Sequence, residues 1–251
     1  MSTPLDDLFV KVRSENRAAL IAYIPAGFPT IEGCKKVIQA FVEGGVDAIE
    51  IGFPYSDPVM DGPTIQAAAD QSLSQGTNAA DVFAALKVAT NSGVPAVVMT
   101  YWNPIEKYGV EKFAESIAVN GGSGVITPDL TIEESTGWKS AVEKNEINPI
   151  YVVAPSTSAQ RLPQVTSRCG GFVYAASLMG VTGTRAAVSS GAPDLVARIR
   201  ETSKLPVAVG LGVSTREQAK GVAGYADGVI VGSAFIKAMQ DAPNEAEGLK
   251  S

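Results

Sequence analysis

The residues with the clearest chemical potential are carboxylates and tyrosines, because the 251-residue chain contains no histidine. Without imidazole, histidine-based serine or cysteine triads, histidine-ligated metals and imidazole acid–base chemistry are all excluded. Proton transfer must therefore use Asp, Glu, Lys, Tyr or Cys. In Ala48-Ile49-Glu50-Ile51, strand alternation puts the isoleucines on one face and Ala48 with Glu50 on the other. If the isoleucines face outward, Glu50 points inward, where burial raises a carboxyl pKa toward the range a general acid needs. Read alone, a charged residue closing a strand is more often solvated. The proline-pinned run Ser56-Asp57-Pro58-Val59-Met60-Asp61-Gly62-Pro63 adds two carboxylates on a loop, with Asp61 eleven residues beyond Glu50. A loop of this kind can fold over a site. Asp57, directly before Pro58, reads equally well as a turn residue.

These groups must be positioned by a regular scaffold, and the hydrophobic pattern supplies one. Eight short apolar runs read as strands: Ala19 to Ile24, Asp47 to Ile51, Ala96 to Thr100, Gly124 to Ile126, Pro149 to Val153, Gly171 to Tyr174, Pro206 to Val209 and Gly228 to Val231. Between them lie amphipathic stretches at Ile31 to Glu43, Ala79 to Asn91, Val110 to Asn120, Ile132 to Lys144, Ala159 to Arg168, Pro193 to Thr202 and Thr215 to Ala223. Such alternation implies a parallel sheet. Eight units behind an opening helix near Pro4 to Glu15 suit an α/β fold of one (β/α)8 TIM barrel with an extra N-terminal helix. No linker or low-complexity stretch interrupts the series, so residues 1–251 are expected to form a single barrel domain.

In a barrel the loops after the strands form the active face, and two of them are long: Gly52 to about Thr64, and Ser177 to Gly191. Phosphate is commonly held by backbone amides after the seventh and eighth strands. Gly210-Leu211-Gly212-Val213-Ser214 and Gly232-Ser233-Ala234 stand at those two places, and Gly180-Val181-Thr182-Gly183-Thr184 after the sixth strand adds further donors. A glycine cluster alone also serves plain turns. Three in successive βα loops point to a phosphate site. Tyr23, Tyr101, Trp102 and Tyr174 fall at strand ends, where rings can line a pocket or pack the core. For Tyr23 and Tyr174 the pocket reading leads; for Trp102 and Trp138, core packing or an interface does.

Composition limits the function classes. With 45% hydrophobic and 18% charged residues the chain can bury a full core, and its net charge of -6 argues against a nucleic-acid partner. The N-terminal Ser2-Thr3-Pro4-Leu5-Asp6-Asp7 lacks the pattern of a secretory signal, and no apolar run reaches membrane-spanning length, so a cytoplasmic protein without a membrane partner is expected. Cys34 and Cys169 match neither a zinc spacing nor a redox pair, and read as two buried thiols.

The stretch Glu50-Ile51-Gly52-Phe53-Pro54-Tyr55-Ser56-Asp57-Pro58 through Asp61-Gly62-Pro63-Thr64-Ile65-Gln66 resembles the signature of tryptophan synthase α subunits. Further similar segments follow in order: Tyr23 to Pro29, Met99-Thr100-Tyr101-Trp102-Asn103-Pro104, Pro128-Asp129-Leu130, Gly171 to Tyr174, Gly180-Val181-Thr182-Gly183, Gly210 to Ser214 and Gly232-Ser233-Ala234. The resemblance implies a lyase that splits indole-3-glycerol phosphate into indole and glyceraldehyde 3-phosphate. It casts Glu50 as the proton-transferring glutamate, Asp61 as the partner of the indole nitrogen and Tyr174 as the tyrosine beside the reacting carbon. Tyr23 and Tyr101 become pocket residues, Thr182 a mobile-loop residue beside Asp61, and Gly183, Gly212, Gly232 and Ser233 the phosphate donors.

The resemblance also implies no cofactor in this chain and a pyridoxal-phosphate-dependent β subunit as partner in an α2β2 complex. Loops around Ser56 to Asp61, Trp102 to Pro104 and Asp129 would face that partner. Leu178-Met179 is apolar where many relatives carry a polar or basic residue, so loop closure is expected to differ. The chain ends soon after Ile236 to Gln240, which suggests a truncated or frayed last helix. Three other readings stand beside this one: a neighbouring phosphate-binding barrel enzyme, a free-standing lyase, and a non-catalytic ligand-sensing regulator of the β subunit.

Overall fold

The computed structural model describes residues 2–177, 191–210 and 212–250. Among the described residues there are nine parallel strands: β1 (Ala19–Pro25), β2 (Ala48–Gly52), β3 (Ala96–Met99), β4 (Gly124–Ile126), β5 (Asn148–Ile150), β6 (Val152–Val153), β7 (Val173–Ala176), β8 (Val207–Gly210) and β9 (Gly228–Val231). Their order is β5-β4-β3-β2-β1-β9-β8-β7-β6. The two ends of that series, β5 and β6, are separated in sequence by Tyr151 alone, so the nine segments are eight barrel positions with the fifth broken in its middle. The sheet is thus a nearly closed barrel, as the alternation of strand and helix predicts.

Strand sides follow from pairing register. Tyr23 is level with Glu50, Glu50 with Val97, Tyr174 with Ala208, and Ile21 with Ile230. Paired residues of neighbouring parallel strands point to the same side, so Tyr23, Glu50 and Tyr174 face the barrel interior while Ile49 and Ile51 face the helices. All five residues of β2 are buried, as are all four of β3, β7, β8 and β9. Burial on both faces explains why these strands read as near-continuous apolar runs.

The helices are α1 (Pro4–Ser14), α2 (Ile31–Glu43), α3 (Pro63–Ser74), α4 (Ala79–Asn91), α5 (Trp102–Tyr108), α6 (Val110–Val119), α7 (Thr136–Lys144), α8 (Arg161–Thr166), α9 (Gly191–Thr202), α10 (Arg216–Ala223), α11 (Ser233–Asp241) and α12 (Glu245–Gly248). Several start where a polar side chain satisfies the free amides of the first turn. Thr30 Oγ1 accepts from Gly33 N–H at 2.9 Å ahead of α2, and reciprocal capping boxes open α1 (Thr3, Asp6), α4 (Asn78, Asp81) and α10 (Thr215, Gln218). Two expected boundaries move inward. α7 begins at Thr136 rather than Ile132, because Ile132 is buried in a turn whose carbonyl accepts from Ser135 Oγ at 3.0 Å; α8 spans only Arg161–Thr166.

The extra N-terminal helix covers the end of the barrel where the strands begin. Leu5 is fully buried against Gly171, Phe9 meets Phe172 at 5.7 Å between ring centroids, and Asn148 Nδ2 donates to Thr3 Oγ1 at 2.9 Å. The last helix departs from the frayed ending that its length suggests. After α11 the chain turns into α12, capped by Asn244 and tied to α2 by a Lys36–Glu245 ion pair of 2.7 Å, and Leu249 packs on the core.

Candidate active site

At the opposite end of the barrel lies a cavity lined by Tyr23, Glu50, Asp61, Ile65, Met99, Tyr174, Gly212, Val213, Ile230, Gly232 and Ser233. The strands deliver Tyr23, Glu50, Met99, Tyr174 and Ile230 from five different βα units, and the segments following strands deliver the rest. Convergence of this sort at the C-terminal ends of the strands is where a barrel builds its site.

Glu50 is 1% exposed and its Oε2 has no hydrogen-bond partner among the described residues. Desolvation, reinforced by the nearby charge of Asp61, pushes its pKa up to about 8. A buried glutamate that forgoes a partner is costly to stability, which marks it as a group kept for chemistry. Asp61 sits on the loop between β2 and α3, half-buried, with its backbone carbonyl accepting from Gln66 Nε2 at 2.7 Å. Desolvation raises its pKa to about 6, held back by a hydrogen bond from Tyr101. Between these values Glu50 keeps its proton while Asp61 is ionised. Two carboxylates in one cavity thus have opposite protonation states, which is the pattern of an acid paired with an anionic stabiliser.

Tyr23 and Tyr174 stay neutral, since burial first and the two carboxylates second drive their pKa values well above 10.0. Both rings fit because glycines flank them. A Cβ on Gly52 would collide with the Tyr23 hydroxyl, one on Gly210 with the Tyr174 hydroxyl, and one on Gly232 would come 2.8 Å from Tyr23 Cδ1. These glycines mark close approach rather than flexibility. Gly212, by contrast, has φ +88°, a left-handed turn that favours glycine.

Among the residues singled out from sequence, Glu50, Asp61, Tyr23, Tyr174, Gly212, Gly232 and Ser233 line one cavity, with Gly232 and Ser233 at the N-terminus of α11. Tyr101 is buried beside the cavity, its hydroxyl accepting from Met60 N–H at 3.3 Å on the loop that carries Asp61. Thr182, Gly183, the rest of the Gly180 to Thr184 cluster, Leu178-Met179 and Leu211 lie outside the described residues. Asp57 is exposed and accepts from Ser56 Oγ at 2.6 Å, so only one of the two loop carboxylates reaches the cavity. Trp138 is core, 1% exposed, packed edge-on to half-buried Trp102 at 6.1 Å. Ile65, Met99, Val213 and Ile230 were not singled out; apolar lining residues carry no chemical signature, although strand alternation places Met99 on the same side as Val97. Cys34 and Cys169 are free thiols with pKa values raised by burial to about 11 and about 12, well away from reactive thiolates. No group of three or more His, Cys, Asp or Glu side chains suited to a metal occurs among the described residues.

A family model described as "Tryptophan synthase alpha chain" matches residues 9–250. The tryptophan synthase alpha chain of Streptomyces avermitilis is 54% identical over 248 residues, spanning 98% of this chain and 90% of that protein. That of Streptomyces coelicolor is 53% identical over 247 residues, spanning 98% and 91%. In three dimensions, the structure of tryptophan synthase from Mycobacterium tuberculosis superposes with a TM-score of 0.93 at 46% identity, covering 99% of this chain and 96% of that one. A chain from the tryptophan synthase α2β2 complex of Pyrococcus furiosus gives 0.85 at 34% identity, covering 92% and 93%.

Proposed function

The chain belongs to the tryptophan synthase alpha chain family, and we propose that Glu50, Asp61 and Tyr174 carry its reaction. The family's enzyme is a lyase of tryptophan biosynthesis that splits indole-3-glycerol phosphate into indole and D-glyceraldehyde 3-phosphate. Cleavage of the bond between indole C3 and the glycerol chain needs three things. C3 must gain a proton, the ring nitrogen must carry positive charge for a time, and the adjacent side-chain hydroxyl must lose its proton as the new aldehyde forms.

Glu50, protonated up to about pH 8, delivers a proton to C3. The resulting carboxylate then accepts the hydroxyl proton as the carbon–carbon bond breaks; the pair from that bond restores the ring C2–C3 double bond and the iminium π pair returns to the ring nitrogen. Asp61, ionised above about pH 6, accepts the indole N–H and stabilises the iminium charge. Tyr174 stands beside the reacting carbon and Tyr23 bounds the ring, with Tyr101 behind them against the Asp61 loop. Backbone amides at Gly212, Gly232 and Ser233 hold the phosphate at the start of α11, with Gly183 contributing another and Thr182 closing beside Asp61.

The reading rests above all on one observation: two carboxylates face one cavity with pKa values set on either side of neutrality. The chain itself needs no cofactor for this chemistry. We place it as the α subunit of an α2β2 complex, passing indole to a pyridoxal-phosphate-dependent β subunit that makes L-tryptophan. Residues 1–251 act in it as one barrel domain in the cytoplasm; no helix among the described residues is long and apolar enough to cross a membrane.

Indole release from indole-3-glycerol phosphate, measured with and without a cognate β subunit, tests the assignment. Weak activity that rises strongly with β is expected. Full activity of the chain alone would favour a free-standing lyase, and ligand binding without turnover in either condition would favour a regulator.

A further inference from the structure

Asp61 reaches the cavity from a loop rather than from a strand, so its backbone must be held from outside. Two hydrogen bonds bracket it. On the N-terminal side Met60 N–H donates to Tyr101 Oη at 3.3 Å, and on the C-terminal side Gln66 Nε2 donates to the Asp61 carbonyl at 2.7 Å. Gln66 is half-buried near the start of α3, next to Ile65, which lines the cavity. Helical side chains lean toward the helix N-terminus, so a glutamine here covers the first turn and reaches the chain entering it. That entry lacks other means of fixing itself. Its N-cap is Gly62, which has no side chain to cap the turn, and Pro63 follows without an N–H to bond. Asp57 on the same loop has no such brace: it is exposed and accepts from its neighbour Ser56 Oγ at 2.6 Å.

We propose that Gln66 is a positioning residue for Asp61: its side-chain amide ties the Asp61 carbonyl to the rigid start of α3 and so fixes the direction in which the carboxylate enters the cavity. The inference rests on the proposed role of Asp61. With the peptide plane after Asp61 held by Gln66 and the Met60 amide held by Tyr101, little freedom remains for the Cα–Cβ bond between them. A primary amide suits the task chemically. It donates to the carbonyl at every pH and brings no charge, whereas a lysine or arginine reaching the same oxygen would set a cation beside the carboxylate that must stabilise the iminium.

The test compares the full α chain with its Gln66→Met and Gln71→Met variants, each with the β subunit, in steady-state indole release and in binding of glyceraldehyde 3-phosphate. Methionine keeps the length of glutamine and removes the donor. Gln71 is an exposed residue further along α3, where it and Gln75 donate to the Pro29 carbonyl at 2.9 and 2.8 Å. Its loss therefore removes a bond of the same type from the same helix without touching Asp61. For Gln66→Met, kcat is expected to fall between about tenfold and a hundredfold, the scale of a misplacement of up to about 1 Å. KM is expected to stay within about twofold, because Asp61 serves a charge that develops only after binding. Glyceraldehyde 3-phosphate, held through its phosphate, is expected to bind Gln66→Met as it binds the parent, and Gln71→Met is expected to match the parent throughout. An unchanged kcat, a rise in KM alone, an equal weakening of glyceraldehyde 3-phosphate binding, or an equal loss in Gln71→Met would overturn the proposal and leave Gln66 as part of the frame of α3. Full turnover by Asp61→Asn would instead remove the role of Asp61, and this proposal with it.

Discussion

Glu50 and Asp61 differ in protonation because of where the chain puts them, not because of residue type. Both are desolvated, but Asp61 keeps a donor in Tyr101 whereas Glu50 Oε2 has none among the described residues. A bell-shaped dependence of kcat with limbs near pH 6 and pH 8 is the expected consequence, read from initial rates of indole release. Glu50→Gln is expected to abolish turnover while retaining substrate binding, and an active variant would sink the assignment of the proton carrier. The same substitution has a stability signature. The folded chain holds the Glu50 proton to about pH 8 whereas the unfolded chain releases it near 4.5, so the folded state binds more protons in that window and loses stability as pH rises through it. Glu50→Gln is therefore expected to match the parent below about pH 4 and to exceed it by a few kcal/mol above about pH 8. Thermal unfolding of both proteins at the two ends of that range checks this.

At the scale of elements, the site depends on strand ends that leave room for rings. Gly210 closes β8 under the Tyr174 hydroxyl, so a single added methyl must displace a tyrosine that lines the cavity with Glu50 and Asp61. Gly210→Ala is expected to reduce kcat/KM on the order of 100-fold, the scale of a misplacement near 1 Å. Gly221 in α10 has nothing within 4 Å of its added Cβ. Gly221→Ala is expected to leave activity intact and to stabilise the helix by up to about 1 kcal/mol. Comparison of the two variants separates close approach from backbone freedom as the reason for a glycine.

The whole barrel is sealed at the end away from the site by α1, and its seal is a packing interaction. Leu5 is fully buried and Phe9 meets Phe172, at the entry to β7, the strand that carries Tyr174. Leu5→Ala is expected to cost about 2–5 kcal/mol in denaturant unfolding while kcat at low temperature stays near the parent value. A fall in kcat without loss of stability would mean that the sealing helix also sets site geometry.

How much of this was legible in the chain differs with scale. Periodicity located all eight barrel positions and the bounds of α2 and α4, because parallel strands buried on both faces and strongly amphipathic, capped helices leave unambiguous local patterns. Alternation in Ala48-Ile49-Glu50-Ile51 was enough to aim Glu50 inward, and glycine spacing was enough to place Gly212, Gly232 and Ser233 on one rim. Other features depend on partners distant in sequence. The break at Tyr151, the docking of α12 on α2 through Lys36 and Glu245, and the choice of Asp61 over Asp57 follow from contacts that no local window contains. The sequence by itself therefore determined the barrel, its order of elements and the identity of the two carboxylates' neighbourhoods. Only the tertiary structure decided which atoms are dry, which are paired, and hence which carboxylate keeps its proton, since desolvation is a property of everything that surrounds a group and not of the group alone.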